Sequence, residues 1–157
     1  MENLLMLNYY RNPLNQFLFN ESVILCCMHS FGLEAEWQTG VNLNELFDRA
    51  CYLSNLLKRE EYIKQRFTSD NYEYFSHIIE FMKARRVLIQ KKDADPNLIL
   101  LRESGESQIV FLRSIVFPMI DSYYVTLIYI LTFIKNKGID MVNFTKNVQW
   151  LAELLHK

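Results

Sequence analysis

Glycine and proline are scarce in this chain, at 4 and 3 of 157 residues. A sandwich or barrel turns too often to be built with so few, so long helices are favoured. Cysteine is scarce as well. Cys26, Cys27 and Cys51 form no disulfide ladder, and no CxxC spacing offers a zinc site. They read as buried free thiols in a reducing, intracellular compartment. The motifs that build common catalytic centres are missing: there is no GxSxG, P-loop, GxGxxG, HxxxH or HExxH. A net charge of −1 leaves no overall footprint for nucleic acid. The opening Met1-Glu2-Asn3 has no basic stretch, so no secretory signal is expected.

What remains is rich in apolar residues. Half the chain is hydrophobic, with 11 Phe and 9 Tyr, enough for one domain with a real core. Asn12-Pro13 reads as a helix start, with Leu14, Phe17, Leu18, Leu25 and Met28 at helical spacing and a second cap at Asn20 splitting the run. Leu33 to Gly40 reads as a loop. Asn42 with Glu45 resembles a capping box before the apolar face Leu43, Leu46, Phe47, Ala50, Leu53 and Leu57. Asp70 with Glu73 repeats the signature before Tyr74, Phe75, Ile78 and Met82. Val87–Ile89 and Leu98–Leu101 then form a β-hairpin around a polar loop. A long apolar helix follows from about Ser107, with a break expected at Phe117-Pro118. Asp140 caps a last helix with the stripe Met141, Phe144, Val148, Leu151 and Leu155. The fold is therefore mainly α with one small β-hairpin, and residues 42–101 have the element order of a winged helix. Ile109–Ile134 is apolar enough to be tested as a membrane span. Arg113, Pro118 and Asp121 interrupt it, and a buried core helix is the expectation.

Charged and titratable residues offer little chemistry. His29, His77 and His156 lie in no ligand spacing, so no metal or cofactor is expected. His29 and Glu34 are separated by four residues, but Gly32 ends the helix between them and leaves the pair without fixed geometry. The cluster Lys83, Arg85, Arg86, Lys91 and Lys92 reads either as a solvated rim or as a contact for an anionic headgroup. The next helix back opens Asp70-Asn71-Tyr72-Glu73, which repels phosphate and argues against nucleic acid as a partner. Asp121 sits in a very apolar helix and needs a partner, for which Arg113 is the candidate.

Four segments carry a resemblance. Leu7-Asn8-Tyr9-Tyr10-Arg11-Asn12 is similar to a Tyr-Tyr-Arg-Asn segment that follows the catalytic domain of glycerol-3-phosphate acyltransferases, and to a Tyr-Arg-Asn of the dihydroxyacetone-phosphate acyltransferases. Leu57–Ile63, Ala84–Ile89 and Phe117–Tyr123 resemble later segments of the same enzymes, in the same order. Met119 stands where the family has an aromatic. The family's His-x4-Asp motif, whose His acts as general base on the glycerol hydroxyl, does not occur in these 157 residues.

The resemblance implies a single C-terminal-type helical domain over 1–157, without the catalytic domain. It implies no catalytic residues here and no acyl transfer by this chain alone. The expected role is to brace the catalytic domain of an acyl-CoA-dependent enzyme of glycerolipid synthesis. Tyr10, Arg11 and Asn12 are the candidate interdomain contact, because an Arg beside a helix cap can grip a carboxylate with two bonds. Arg11 tying its own helix to the local core is the competing reading. Association with a mitochondrial outer or peroxisomal membrane is implied too. The alternative is a free-standing helical interaction module.

Overall fold

The computed structural model describes residues 18–58, 66–90, 95–133 and 141–155. The expected helix start at Asn12-Pro13, the interdomain candidates Tyr10, Arg11 and Asn12, and Lys91, Lys92 and Asp140 lie outside these residues. The chain divides into two compact units, Met1–Val116 and Phe117–Lys157.

The first unit begins with helix α1, Leu18–His29. The break expected at Asn20 is not there. Asn20, Glu21 and Ser22 are buried instead, and each finds a bond that a polar side chain in a core requires. Asn20 Nδ2 donates to the Tyr74 hydroxyl at 2.8 Å, and Ser22 Oγ donates to the Leu112 carbonyl at 2.5 Å. Val23, Ile24, Leu25 and Met28 are completely buried, so α1 is the axis of this unit's core.

The segment expected to be a loop is a π-helical turn, Ala35–Thr39. It stops at Gly40, whose φ of 95° suits glycine, and a Cβ there would stand 3.2 Å from Leu98 Cβ. Strand β1, Val41–Asn42, follows. Asn42 then serves as N-cap of α2, Leu43–Leu56, its side chain accepting from the Asn44 N–H at 2.9 Å. Leu46, Phe47 and Ala50 are buried along the expected face.

Helix α3, Tyr72–Ala84, has no side-chain cap of the expected kind. Asn71 spends its amide on the preceding loop, accepting from Thr68 N–H at 2.8 Å and donating to the Arg66 carbonyl at 2.7 Å. Phe75, Ile79 and Met82 are its buried residues. Phe75 meets Phe47 at 5.2 Å and Phe67 at 5.5 Å between ring centroids, which ties α2, α3 and the loop between them together. The helix ends in a Schellman turn: Arg86 N–H donates to Lys83 O and Val87 N–H to Met82 O, with Arg86 at φ 62° where glycine is usual.

Strands β2, Leu88–Gln90, and β3, Leu98–Leu101, form the expected hairpin, with Leu88 opposite Leu101 and Gln90 opposite Ile99. The sequence reading missed that β1 joins its other edge, with Val41 opposite Ile99. The antiparallel sheet therefore has the order β1-β3-β2. Helix, strand, two helices and a hairpin, paired in this order, is winged-helix connectivity. A 3₁₀ turn, Glu103–Gly105, leads into α4, Glu106–Phe133. Gly105 lies against the α3–β2 turn, where a Cβ would meet the Arg86 carbonyl at 3.0 Å.

No break occurs at Phe117-Pro118; α4 runs through Pro118 for 28 residues. One missing N–H is tolerated because the hydrogen-bond ladder continues on both sides of it. The first part of α4 buries Ile109, Leu112, Ile115 and Val116 in the first unit, as a core helix should. In the second unit, the rest of α4 accompanies α5, Met141–Leu155, with Val125 and Leu151 buried. Tyr129 and Phe144 stack edge to face at 5.5 Å, and Asn147 Nδ2 donates to the Tyr129 hydroxyl at 2.9 Å.

Candidate functional site

Among the described residues of the first unit, the polar chemistry gathers around two buried carboxylates, neither of which the sequence reading singled out. Glu36 sits on the π-helical turn and is fully buried. One of its oxygens accepts from Arg113 Nη2; the other lies 3.3 Å from His29 Nδ1. Arg113 Nε also donates to the Leu25 carbonyl at 3.3 Å. Arg113 therefore serves Glu36 and the Leu25 carbonyl. Glu36, five residues before strand β1, is fully buried, and burial makes an unpaired charge costly, so it requires this cation.

Among the described residues the His29–Glu36 pair is the nearest approach to a catalytic arrangement. Nδ1 of His29 faces a carboxylate, the orientation in which the other ring nitrogen acts as general base. Two features argue against that use. The charge of Glu36 is already neutralised by Arg113, and the His29 side chain is 47% exposed rather than enclosed in the water-excluded site that acyl chemistry exploits. His29 pairs with Glu36, seven residues on, and not with Glu34. A second pair among the described residues, His77 Nε2 with Glu73 at 3.9 Å, is solvated. Among the described residues no three His, Cys, Asp or Glu side chains gather as a metal site.

Glu21 is the second buried carboxylate. Arg85 Nη1 donates to both of its oxygens at 3.1 Å. The Gln108 amide, turned so that its oxygen faces the guanidinium, accepts from Arg85 Nη2 at 2.6 Å and Nε at 3.2 Å. Burial pushes the Glu21 carboxyl above its ordinary value, and the Arg85 charge pulls it back. This arrangement clamps α1 to the end of α3 and the start of α4.

The basic cluster looks different in this light. Arg85 has its donors engaged by Glu21 and Gln108, so it has no free fork for an anionic headgroup. Lys83 Nζ donates to Glu80 at 2.7 Å and reaches Gln90 at 3.5 Å. Arg86 is exposed at its turn, and Lys91 and Lys92 are outside the described residues. Arg49 is a cation that the sequence reading passed over. It lies 3.5 Å over the Phe31 ring and donates to Ser30 Oγ at 2.6 Å, closing the end of α1 against α2.

Cys26 and Cys27 are buried thiols as expected, whereas Cys51 is half-buried. Burial pushes Cys26 up to about 11 and Cys27 up to about 12, and raises Cys51 as well. Such thiols favour the fold while protonated, and that stability is lost as pH rises from the ordinary thiol value of 9.0 through about 11 and about 12. In this window the loss is about 1.4 kcal/mol per pH unit for each thiol. Urea midpoints measured in reductant between pH 8 and pH 11 are expected to fall more steeply for the wild type than for Cys26→Ala/Cys27→Ala.

In the second unit, α4 and α5 flank a groove of about 390 Å³. Asp121, Ser122, Val125, Phe144 and Val148 are among its lining residues.

Among the described residues these features are internal braces of the first unit. A family model for the glycerol-3-phosphate acyltransferase C-terminal region matches residues 1–157. The chain belongs to that family. No curated protein sequence and no solved structure matches it. Membership associates this C-terminal region with acyl transfer in glycerolipid biosynthesis. The buried clamps Glu21–Arg85 and Glu36–Arg113 are then elements of the region's architecture.

Proposed function

We propose that this C-terminal region is an accessory part of an acyl-CoA-dependent acyltransferase that acts on glycerol 3-phosphate or dihydroxyacetone phosphate. In this reading it braces the catalytic domain and performs no acyl transfer by itself. The observation that carries the proposal is the family match over residues 1–157 in a chain without His-x4-Asp, whose His29–Glu36 contact is neutralised by Arg113. Two clamps fix α1, α3 and the start of α4 relative to one another, which suits a rigid support. Tyr10, Arg11 and Asn12 are the proposed contact with the catalytic domain. A mitochondrial outer or peroxisomal membrane is the proposed setting.

The test is complementation in trans. The parent enzyme truncated before this region is expected to lose most of its turnover, and added 157-residue chain is expected to restore it. A truncated enzyme as active and as heat-resistant as the full-length one would contradict a bracing role.

A further inference from the structure

The sequence reading took α4 for a buried core helix. That holds up to Val116. Beyond it Val125 is buried, but Phe117, Tyr124, Leu127 and Leu131 are exposed, and the most apolar window of Glu103–Thr132 is only 17% buried. In place of a sealed core the second unit has the groove between α4 and α5. Val125 on one wall and Phe144 and Val148 on the other make it largely apolar. Its volume of about 390 Å³ lies in the range of small-molecule sites, roughly 300–1,000 Å³. In such sites a few polar groups orient the ligand, so their chemistry selects it.

The polar groups of the α4 wall are acceptors. Among the described residues that line the groove, Asp121 alone is charged, with no Lys, Arg or His to oppose it. The neighbouring hydroxyls direct their protons into the helix: Ser122 Oγ donates to the Met119 carbonyl at 2.8 Å, and Thr126 Oγ1 donates to the Ser122 carbonyl at 2.7 Å. What Ser122 and Thr126 present to the groove is therefore lone pairs. Asp121 has an interaction of its own within the protein. A carboxylate has about four acceptor positions, so it can still receive another donor. Gln149, on the α5 wall, is neutral and leaves the balance negative. An anion entering the groove meets Asp121 without a counter-charge, which disfavours it. A neutral alcohol can donate one bond. An ammonium donates up to three and gains charge assistance from the carboxylate. Phe144 adds to the preference, because an aromatic ring attracts a cation over its face.

We propose that the α4–α5 groove binds a small organic monocation, one ammonium group on an apolar chain or ring. The ammonium sits against Asp121, with Ser122 and Thr126 as further acceptors, and the apolar body lies along Val125, Phe144 and Val148. The site is separate from acyl transfer, since acyl-CoA and glycerol 3-phosphate are both anions, and it does not depend on bracing of a catalytic domain.

The 157-residue chain is titrated with hexylammonium, and with hexanol and hexanoate as neutral and anionic probes bearing the same tail. Hexylammonium is expected to shift the methyl resonances of Val125 and Val148 saturably, and to bind at least about tenfold more tightly than either control. Octylammonium is expected to bind more tightly still, by about fourfold for each added methylene that the groove accepts. Added salt is expected to weaken the ammonium and leave hexanol unaffected. Asp121→Asn keeps the shape and removes the charge, and is expected to lower hexylammonium to the affinity of hexanol. Unchanged hexanol binding in that variant shows an intact groove; if hexanol is lost as well, the three probes on the wild type decide alone. Three outcomes overturn the proposal. Hexanoate binding as tightly as hexylammonium would assign the groove to an acyl chain. An Asp121→Asn variant that retains wild-type affinity for hexylammonium would remove the role of the charge. Groove shifts that follow protein concentration, with no response to any probe, would make a second copy the occupant.

Discussion

Replacing Glu36 with alanine is expected to destabilise the chain by about 3–5 kcal/mol, the cost of leaving the other half of a buried ion pair unpaired. Glu36 has no exposed side-chain surface, and Arg113 retains only 19% of its own. Without the carboxylate, the Arg113 guanidinium keeps one neutral acceptor among the described residues, the Leu25 carbonyl. His29→Ala is expected to cost less than about 1 kcal/mol, because its side chain is half exposed and water replaces the lost contact. The contrast separates two roles for the cluster. Structural pairing places the large effect on Glu36 and Arg113, whereas a catalytic dyad would make His29 the sensitive position in an activity assay. Urea denaturation of Glu36→Ala, Arg113→Met and Glu36→Ala/Arg113→Met measures the coupling directly. The double variant is expected to be more stable than the sum of the single losses predicts, since the apolar replacement leaves no charge stranded.

The second large effect is at Arg85. Arg85→Met is expected to lower stability at pH 7 by about 2–3 kcal/mol, because Glu21 is then buried without its counter-charge. The deficit should depend on pH in a defined direction. Burial already raises the Glu21 carboxyl above its ordinary value of 4.5, and loss of Arg85 removes the influence that lowers it. A carboxyl raised in the folded state favours folding while it is protonated, below the unfolded value. That contribution is lost as pH rises through the folded value. The penalty of Arg85→Met is therefore expected to shrink as pH falls toward 4.5 and to be full at neutrality. Melting temperatures of the variant and the wild type across that range test this. An unchanged melting temperature with weakened vesicle binding would instead return Arg85 to the basic rim as a headgroup contact.

Periodicity made α2, α3 and the hairpin legible, because Leu46, Phe47, Phe75 and Met82 repeat at helical spacing and Leu98–Leu101 do not. Strand β1 was hidden. Two residues carry no period, and Val41–Asn42 is a strand only because β3 lies beside it. The π-helical turn was hidden for a related reason: Gly32 and Gly40 bracket it as they would a loop. The two clamps were less accessible still, with partners 64 and 77 residues apart. A signal existed in Glu21, a carboxylate at a core-facing position of an apolar helix, which burial obliges to find a cation. Pro118 misled in the other direction, since a proline marks a break only where the ladder has no reason to continue. The family resemblance rested on short segments in register, and the match over residues 1–157 establishes it.

Incubating the isolated chain with acyl-CoA and glycerol 3-phosphate probes the central claim most directly. Acylated glycerol phosphate is expected to form no faster than without protein, and His29→Gln is expected to behave identically. Sustained turnover by the wild-type chain that disappears in His29→Gln would contradict the claim that these residues support esterification without performing it.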